Sequence, residues 1–220
     1  MWYNGAVLHV FIGEDDYSIR RALEAVKAGV GDAEALMSNV TTLDARQTYA
    51  AELLNACNTV PFLADKRLVV VTGLLEKYES GGRGGRKKKV ARTDAPEEWQ
   101  VIAEGVSALP ETTELVIIGG KINTANPLLK ALMPTGRVKS FPRLNSKELA
   151  PWINRQVKEA GGDIAPRAAT TLAQFVGNDL WTLANEIEKL VQYAAGRPIE
   201  EADVRALVSA TQEASIFAMV

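Results

Sequence analysis

The sequence predicts an α/β domain with a parallel sheet, followed by a small all-helical domain. Over residues 1–141, short apolar runs alternate with segments whose apolar residues recur at helical spacing, which is typical of a sheet covered by helices on both faces. Over residues 142–210, the apolar runs disappear and helical periodicity continues alone. The chain ends in an apolar segment, Ala214–Val220, and we interpret residues 211–220 as the start of a linker to a further, absent domain.

Five apolar runs are predicted as strands, and the segments between them as helices. Val7–Ile12 is nearly continuously apolar and ends at Gly13, which is typical of a strand buried on both faces. Ile19, Leu23 and Val26 then recur at helical spacing. The other predicted strands are Asn39–Leu43, Leu68–Thr72, Leu115–Ile118 and Arg137–Phe141, and the other helical stripes begin near Tyr49, Trp99 and Asn126.

The second domain is predicted to contain four helices. Ser146 is predicted to cap the first, because a side-chain oxygen there can accept a hydrogen bond from a free backbone N–H. Pro166 suits the first turn of the second helix. Asn178-Asp179 suits the cap of the third, and Glu201–Ala210 forms the fourth.

The turn after the first strand, within HVFIGEDDYSIRRAL, lies where a nucleotide-binding protein carries its phosphate loop. Such a loop needs Gly-x-x-x-x-Gly-Lys-Ser/Thr, whose amides, lysine and hydroxyl hold phosphates and magnesium. Here Gly13 is followed by Glu14, Asp15 and Asp16. These carboxylates suit the capping of a helix N-terminus, and their charge would repel a phosphate.

ATP hydrolysis also needs acidic residues at the tip of a central strand, where they hold magnesium and activate water. Leu68–Thr72 and Leu115–Ile118 are each followed by glycine instead. His9, the single histidine, falls in a strand, and we interpret it as a hydrogen-bonded core residue rather than a base. We therefore predict no catalytic residue, no cofactor and no metal site.

Composition narrows the class of protein. A net charge of −2 gives no overall attraction to nucleic acid or to an anionic membrane, so any such contact must be local. No apolar run approaches the roughly 18 residues needed to span a bilayer. The single cysteine, Cys57, fits a reducing compartment and reads as a small core residue. These features predict a soluble, cytoplasmic protein.

The segment before the Leu68–Thr72 strand is unusually apolar for a connection. It reads Asn58-Thr59-Val60-Pro61-Phe62-Leu63, and Pro61 is expected to end the preceding helix. Two interpretations fit this pattern. Phe62 folds back and covers the sheet core, or the turn offers a hydrophobic plug to a pocket on a partner, with Phe62 as its anchor.

Residues 79–95 form a predicted flexible loop, because they contain four glycines and too few apolar residues to order themselves. The loop is either a solvated insertion or a patch that contacts DNA phosphates or RNA. Its six basic residues are Arg83, Arg86, Lys87, Lys88, Lys89 and Arg92.

Three segments of the chain resemble the delta subunit of bacterial DNA polymerase III, a component of the sliding-clamp loader. HVFIGEDDYSIRRALEAV resembles the opening strand, turn and helix of this family, and TVPFLADKRLVVV resembles its proline/aromatic turn and valine-rich strand. The longest match runs from FPRLNSKELAPWI through GNDLWTLANEIEKLVQYAAGRPIEEADVRALV. Residues 79–95 depart from the family, because they are longer and more basic than its usual connection.

The resemblance implies an AAA+-like (P-loop NTPase-type) parallel sheet domain with a degenerate phosphate loop, a helical lid domain and a C-terminal collar that is missing here. It implies no ATP turnover by this subunit, which works within the polymerase holoenzyme. By position, the family's clamp-binding plug corresponds to Val60, Pro61, Phe62 and Leu63, of which Phe62 matches most firmly.

The resemblance also implies partners and a role. The partners are the sliding clamp (beta), the gamma/tau and delta prime subunits of a heteropentamer, and primed DNA through that complex. The role is to open the clamp or to hold it open. Without a collar, the chain is expected to be a monomer. Two rival hypotheses remain: a nucleotide-switched ATPase, which predicts saturable ATP binding, and a nucleic-acid-binding adaptor that acts through residues 83–92.

Overall fold

The computed structural model describes residues 7–79 and 97–208. The chain divides after Pro142 into two compact units. The first unit contains a five-stranded sheet in the order β2-β3-β4-β1-β5, and every neighbouring pair of strands is parallel. Its elements are β1 (Val7–Gly13), α1 (Asp16–Ala28), α2 (Ala33–Asn39), β2 (Val40–Asp44), α3 (Ala50–Asn58), β3 (Arg67–Thr72), a 3₁₀ helix (Glu76–Tyr78), α4 (Glu98–Ser107), β4 (Thr113–Gly119), α5 (Pro127–Leu132) and β5 (Arg137–Phe141).

The central strands are buried on both faces, as their continuous apolar sequences predict. Alternate residues of β3 face opposite sides: Val69 and Val71 join one core cluster, whereas Leu68 and Val70 join the other. The first cluster packs against α3, α4 and α5, and the second packs against α1 and α2. Each fully buried valine or leucine contributes about 1.5–3 kcal/mol. The predicted α/β fold and all five predicted strands are therefore confirmed.

The structure differs from the sequence-based expectations in three places: one helix was missed and two local predictions were wrong. The helix α2 was not predicted, because it has only seven residues and Leu36 is its main apolar contact with the core. Tyr49 is not part of the buried stripe of α3, since it is the N-cap residue of that helix and is exposed. The N-cap of α6 is Asn145 rather than Ser146, because Asn145 forms a reciprocal capping box with Glu148.

The second unit is helical throughout its regular structure. Its helices are α6 (Ser146–Glu159), α7 (Pro166–Val176), α8 (Leu180–Ala194) and α9 (residues 201–208). As predicted, Pro166 lies in the first turn of α7, and the Asp179 side chain caps α8 by accepting hydrogen bonds from the backbone N–H groups of Trp181 and Thr182. Among the described residues, no helix is long and apolar enough to cross a membrane.

The connection between α8 and α9 is stabilised by backbone hydrogen bonds and by an ion pair. Ile164 and Ile199 form a parallel bridge, in which Ala165 donates its N–H to the carbonyl of Ile199 at 2.9 Å. Two nitrogens of Arg197 donate to the two oxygens of Asp203, at 2.6 and 2.8 Å. The N–H of Glu200 donates to Asp203 as well. The hydrogen bonds from Arg197 and from the Glu200 backbone lower the pKa of Asp203 from its usual value to about 2.

We predict that the stability contributed by Asp203 depends on pH in the acid range. Because the folded pKa is depressed, this contribution is complete above the pKa of an unfolded aspartate and is lost as the pH falls through about 2. Asp203→Asn should therefore be less stable than wild type at neutral pH, and the gap should narrow below about pH 4. Urea unfolding at a series of pH values measures this difference. Asp163→Asn is the matched control, because Asp163 is exposed and lies 3.6 Å from Lys158.

Candidate functional site

The turn that follows β1 brings two strands unusually close together. Gly13 has a φ of 144°, and a Cβ at this position would lie 1.9 Å from the carbonyl oxygen of Phe141, the last residue of β5. Glycine is required here for two reasons. Residues with a side chain rarely adopt this φ, and a Cβ would overlap with the carbonyl oxygen of Phe141. The position of Phe141 fixes how the chain leaves β1 and enters α1.

The backbone N–H groups of this turn are bonded within the chain. Gly13 donates to the carbonyl of Gly120 at 2.9 Å, while Glu14 and Asp15 both donate to the carbonyl of Phe141, at 3.0 and 3.1 Å. Asp15 caps α1 by accepting from the N–H of Ser18 at 3.0 Å, which confirms the capping role predicted for the acidic turn. In a phosphate loop, N–H groups at such a turn face the phosphate. In this chain, the N–H groups of Glu14 and Asp15 face the carbonyl oxygen of Phe141 instead.

The sequence predicts no acidic side chain at the ends of β3 and β4, but the structure brings one to the end of β4. Neither strand ends in a carboxylate, but the 3₁₀ helix brings Glu76 to the tip of β4, where its side chain accepts from the N–H of Gly120 at 2.7 Å. Glu79 accepts from the N–H of Asn123 at 2.9 Å. These contacts join residues 44 positions apart, so no sequence motif could have indicated them.

One more carboxylate lies at this edge of the sheet. Asp44, the last residue of β2, forms an ion pair with Arg46 at 2.8 Å. The hydrogen bonds from the Arg46 side chain and backbone lower the pKa of Asp44. Within residues 7–79 and 97–208, no group of three His, Cys, Asp or Glu side chains is arranged to hold a metal ion.

At the opposite, N-terminal end of β3, the connection from α3 presents large apolar side chains to solvent. The exposed fractions are 80% for Val60, 65% for Phe62 and 90% for Leu63. Phe62 does not cover the sheet core, so that interpretation was wrong. Exposed apolar residues that lie next to one another are a recurrent feature of interaction surfaces. We call residues 60–63 the apolar turn.

Two buried polar side chains hold the backbone within the apolar turn and at the residue before it. Asn39, the last residue of α2, accepts from the N–H of Phe62 at 2.6 Å and donates to the carbonyl of Phe62 at 2.9 Å. Arg67 donates to the carbonyl of Thr59 and to the hydroxyl of Thr41, both at 3.0 Å. Leu63 adopts a left-handed φ of 49°, which is strained for a leucine.

Three titratable residues near the N-terminal ends of the strands are held by burial or by contacts within the chain. Cys57 is fully buried, as predicted, and burial raises the pKa of its thiol to about 11 despite the nearby charge of Arg67.

His9 contacts Glu114 at 3.2 Å, and Lys66 contacts the other oxygen of that carboxylate at 2.5 Å. Burial alone would raise the pKa of Glu114, but hydrogen bonds from His9 and Lys66 outweigh it, and the net shift is downward. The interpretation of His9 as a hydrogen-bonded structural residue is confirmed.

The basic residues of the predicted loop lie outside the described residues. DNA contact through them therefore stays a prediction that the structure does not address. The residues concerned are Arg83, Arg86, Lys87, Lys88, Lys89 and Arg92.

The strand order and the parallel pairing define the class of protein: an α/β domain with the AAA+-like (P-loop NTPase-type) fold, followed by a small all-α domain. The family model described as DNA polymerase III, delta subunit, matches residues 9–141. The chain belongs to this family.

Individual relatives agree with the family match. The chain is similar to DNA polymerase III subunit delta of Bacillus subtilis (strain 168), with 23% identity over 216 residues, covering 97% of this chain and 60% of the relative. It is also similar to the probable DNA polymerase III subunit delta of Aquifex aeolicus (strain VF5), with 25% identity over 223 residues, covering 97% of this chain and 57% of the relative. The chain thus spans less than two thirds of the length of both relatives.

A solved structure shares the fold. The Bacillus subtilis DNA clamp loader delta protein matches with a TM-score of 0.75 and 21% identity, over 93% of this chain and 58% of that one. At this level of identity the match shows the common fold.

We predict that Gly13→Ala destabilises the first unit by about 3 kcal/mol or more, because the new Cβ adds backbone strain and displaces the Phe141 carbonyl from its hydrogen bonds. Gly73→Ala is the matched control. Gly73 also has a positive φ, of 74°, but its Cβ would meet no atom closer than 3.7 Å, so strain of about 1 kcal/mol is expected alone. Urea unfolding compares the two variants, and equal losses would show that the contact with Phe141 is unimportant.

Proposed function

We propose that this chain is the part of a clamp-loader delta subunit that binds the sliding clamp, and that the apolar turn inserts into a pocket of the clamp. The observation that carries the proposal is the exposure of Val60, Phe62 and Leu63 on a turn whose backbone is fixed from beneath. Membership in the delta-subunit family supports the choice of the clamp as partner. Pro61 completes the turn.

The energetics of the apolar turn suit such a contact. Burial of a valine, leucine or phenylalanine side chain contributes about 1.5–3 kcal/mol each, and a turn that is already ordered loses little entropy on binding. If the pocket is more accessible in the open ring than in the closed ring, binding favours the open ring in proportion to the difference in affinity. The chain would then open the clamp, or hold it open, for loading on primed DNA.

In this proposal, the ATP-driven switch belongs to other subunits. The amides of the turn after β1 are occupied by the carbonyls of Phe141 and Gly120, and the tip of β4 is occupied by Glu76. This chain therefore contributes binding rather than hydrolysis. The gamma/tau and delta prime subunits of a heteropentamer would hydrolyse ATP and expose or hide the apolar turn. The assembly would work on primed DNA in the cytoplasm.

We predict that Phe62→Ala weakens binding to the sliding clamp by at least tenfold, about 1.4 kcal/mol, because it removes the largest side chain of the apolar turn. Surface plasmon resonance with immobilised clamp, without ATP, measures the affinity. The thermal midpoint should stay nearly constant, since Phe62 is 65% exposed.

Tyr49→Ala is the matched control for this experiment. Tyr49 is also an exposed aromatic residue, but it lies at the other end of α3 from the apolar turn. We expect its removal to leave clamp affinity unchanged. A folded wild-type chain that does not bind the clamp, or equal losses in both variants, would reject the proposal.

We also predict that the chain shows no saturable binding of ATP up to millimolar concentration, because a carbonyl occupies the turn where a phosphate would sit. Titration with a fluorescent ATP analogue tests this, with a functional P-loop ATPase as the positive control. Saturable binding that unlabelled ATP displaces would favour the nucleotide-switched alternative.

A further inference from the structure

The Asn39 side chain makes an unusual set of contacts for a residue at the end of a helix. It is 2% exposed. Its amide oxygen accepts from the N–H of Phe62 at 2.6 Å, and its amide nitrogen donates to the carbonyls of Phe62 and Ala35, both at 2.9 Å. Both backbone groups of one residue of the apolar turn are thus bonded to a single side chain.

This arrangement reproduces the pair of hydrogen bonds that a neighbouring strand residue would make. An asparagine amide can form it because it carries a donor and an acceptor on adjacent atoms. The bond to Ala35, one turn earlier in α2, fixes the orientation of the amide. Because the group is buried, water does not compete for these bonds.

The rest of the apolar turn has few constraints of its own. Val60 and Leu63 are exposed, and Leu63 holds a strained left-handed φ, so an isolated turn would relax to other conformations. Arg67 holds the backbone at Thr59, the residue before the turn, and Asn39 holds the turn itself at Phe62. Release of Asn39 would leave the Phe62 backbone with neither of these two hydrogen bonds.

We propose that Asn39 is a positioning residue of the clamp-binding site: it holds Phe62 in its binding conformation before the partner arrives and does not touch the partner itself. This inference rests on the proposed function. The apparent dissociation constant of such a site rises in inverse proportion to the fraction of molecules in the competent conformation. Asn39→Ala lowers that fraction, and we expect clamp affinity to fall about tenfold.

A double-mutant cycle tests the proposal. Clamp affinity is measured for wild type, Asn39→Ala, Phe62→Ala and the double variant. If Asn39 acts through Phe62, the double variant binds as Phe62→Ala does, because there is no longer an aromatic anchor to position. Additive losses would mean that Asn39 contacts the clamp or supports the fold generally, and they would overturn the proposal.

Asn154→Ala is the matched control. Asn154 donates to the carbonyl of Ala150 one turn earlier in α6, at 2.8 Å, so its removal deletes the same kind of bond as Asn39 makes to Ala35. We expect it to leave clamp affinity unchanged. Should Asn39→Ala fail to fold, Asn39→Asp keeps the acceptor for the Phe62 N–H and loses the donor, and an intermediate loss of affinity is expected.

Hydrogen exchange in the free chain gives a readout that does not need the clamp. The Phe62 amide should exchange slowly in wild type and in Asn154→Ala, and at least tenfold faster in Asn39→Ala. Unchanged exchange would overturn the proposal. If wild type fails to bind the clamp but the exchange result holds, the proposed function is wrong while Asn39 still orders the turn. If Phe62→Ala weakens binding and Asn39→Ala does not, the positioning role alone is wrong.

Discussion

The architecture of the first unit depends on the contact between Gly13 and the carbonyl of Phe141. Strand β1 lies between β4 and β5. Its last residue, Gly13, donates a hydrogen bond to Gly120, which follows β4, and also packs directly against Phe141 at the end of β5. The missing Cβ allows the carbonyl of Phe141 to accept two N–H groups at the start of α1. The same contact therefore sets the position of the edge strand β5 against β1, directs the chain into the first helix and satisfies two backbone N–H groups of the turn.

The two ends of the strands differ in the polarity of the groups that they expose. At the C-terminal ends of the strands, polar groups bond to one another, as between Glu76 and Gly120 or between Asp44 and Arg46. At the N-terminal end of β3, apolar side chains remain exposed, and the buried side chain of Asn39 bonds to the Phe62 backbone between them. Open α/β sheets commonly bind ligands at the carboxyl ends of their strands. A scaffold whose polar groups bond to one another at that end is suited to present a fixed surface elsewhere.

The strands could be predicted from sequence because burial on both faces produces continuous apolar runs, as in Val69 and its neighbours in β3. The apolar turn could be located for the opposite reason, since Val60 and Phe62 interrupt a connection that is normally polar. Helix α2 escaped prediction because it is short and carries little apolar surface. The contact of Asn39 with Phe62 joins residues 23 positions apart, and such pairings depend on the assembled fold rather than on a local pattern.

The burial of Cys57 has a practical consequence for labelling chemistry. Thiol reagents attack the thiolate, and a pKa of about 11 leaves roughly one thiolate in ten thousand thiols at neutral pH. Because the chain has a single cysteine, it is nearly inert to maleimides without any engineering. A Leu63→Cys substitution would therefore supply one accessible thiol at the tip of the apolar turn, where a fluorophore or spin label reports its surroundings without background from the native cysteine.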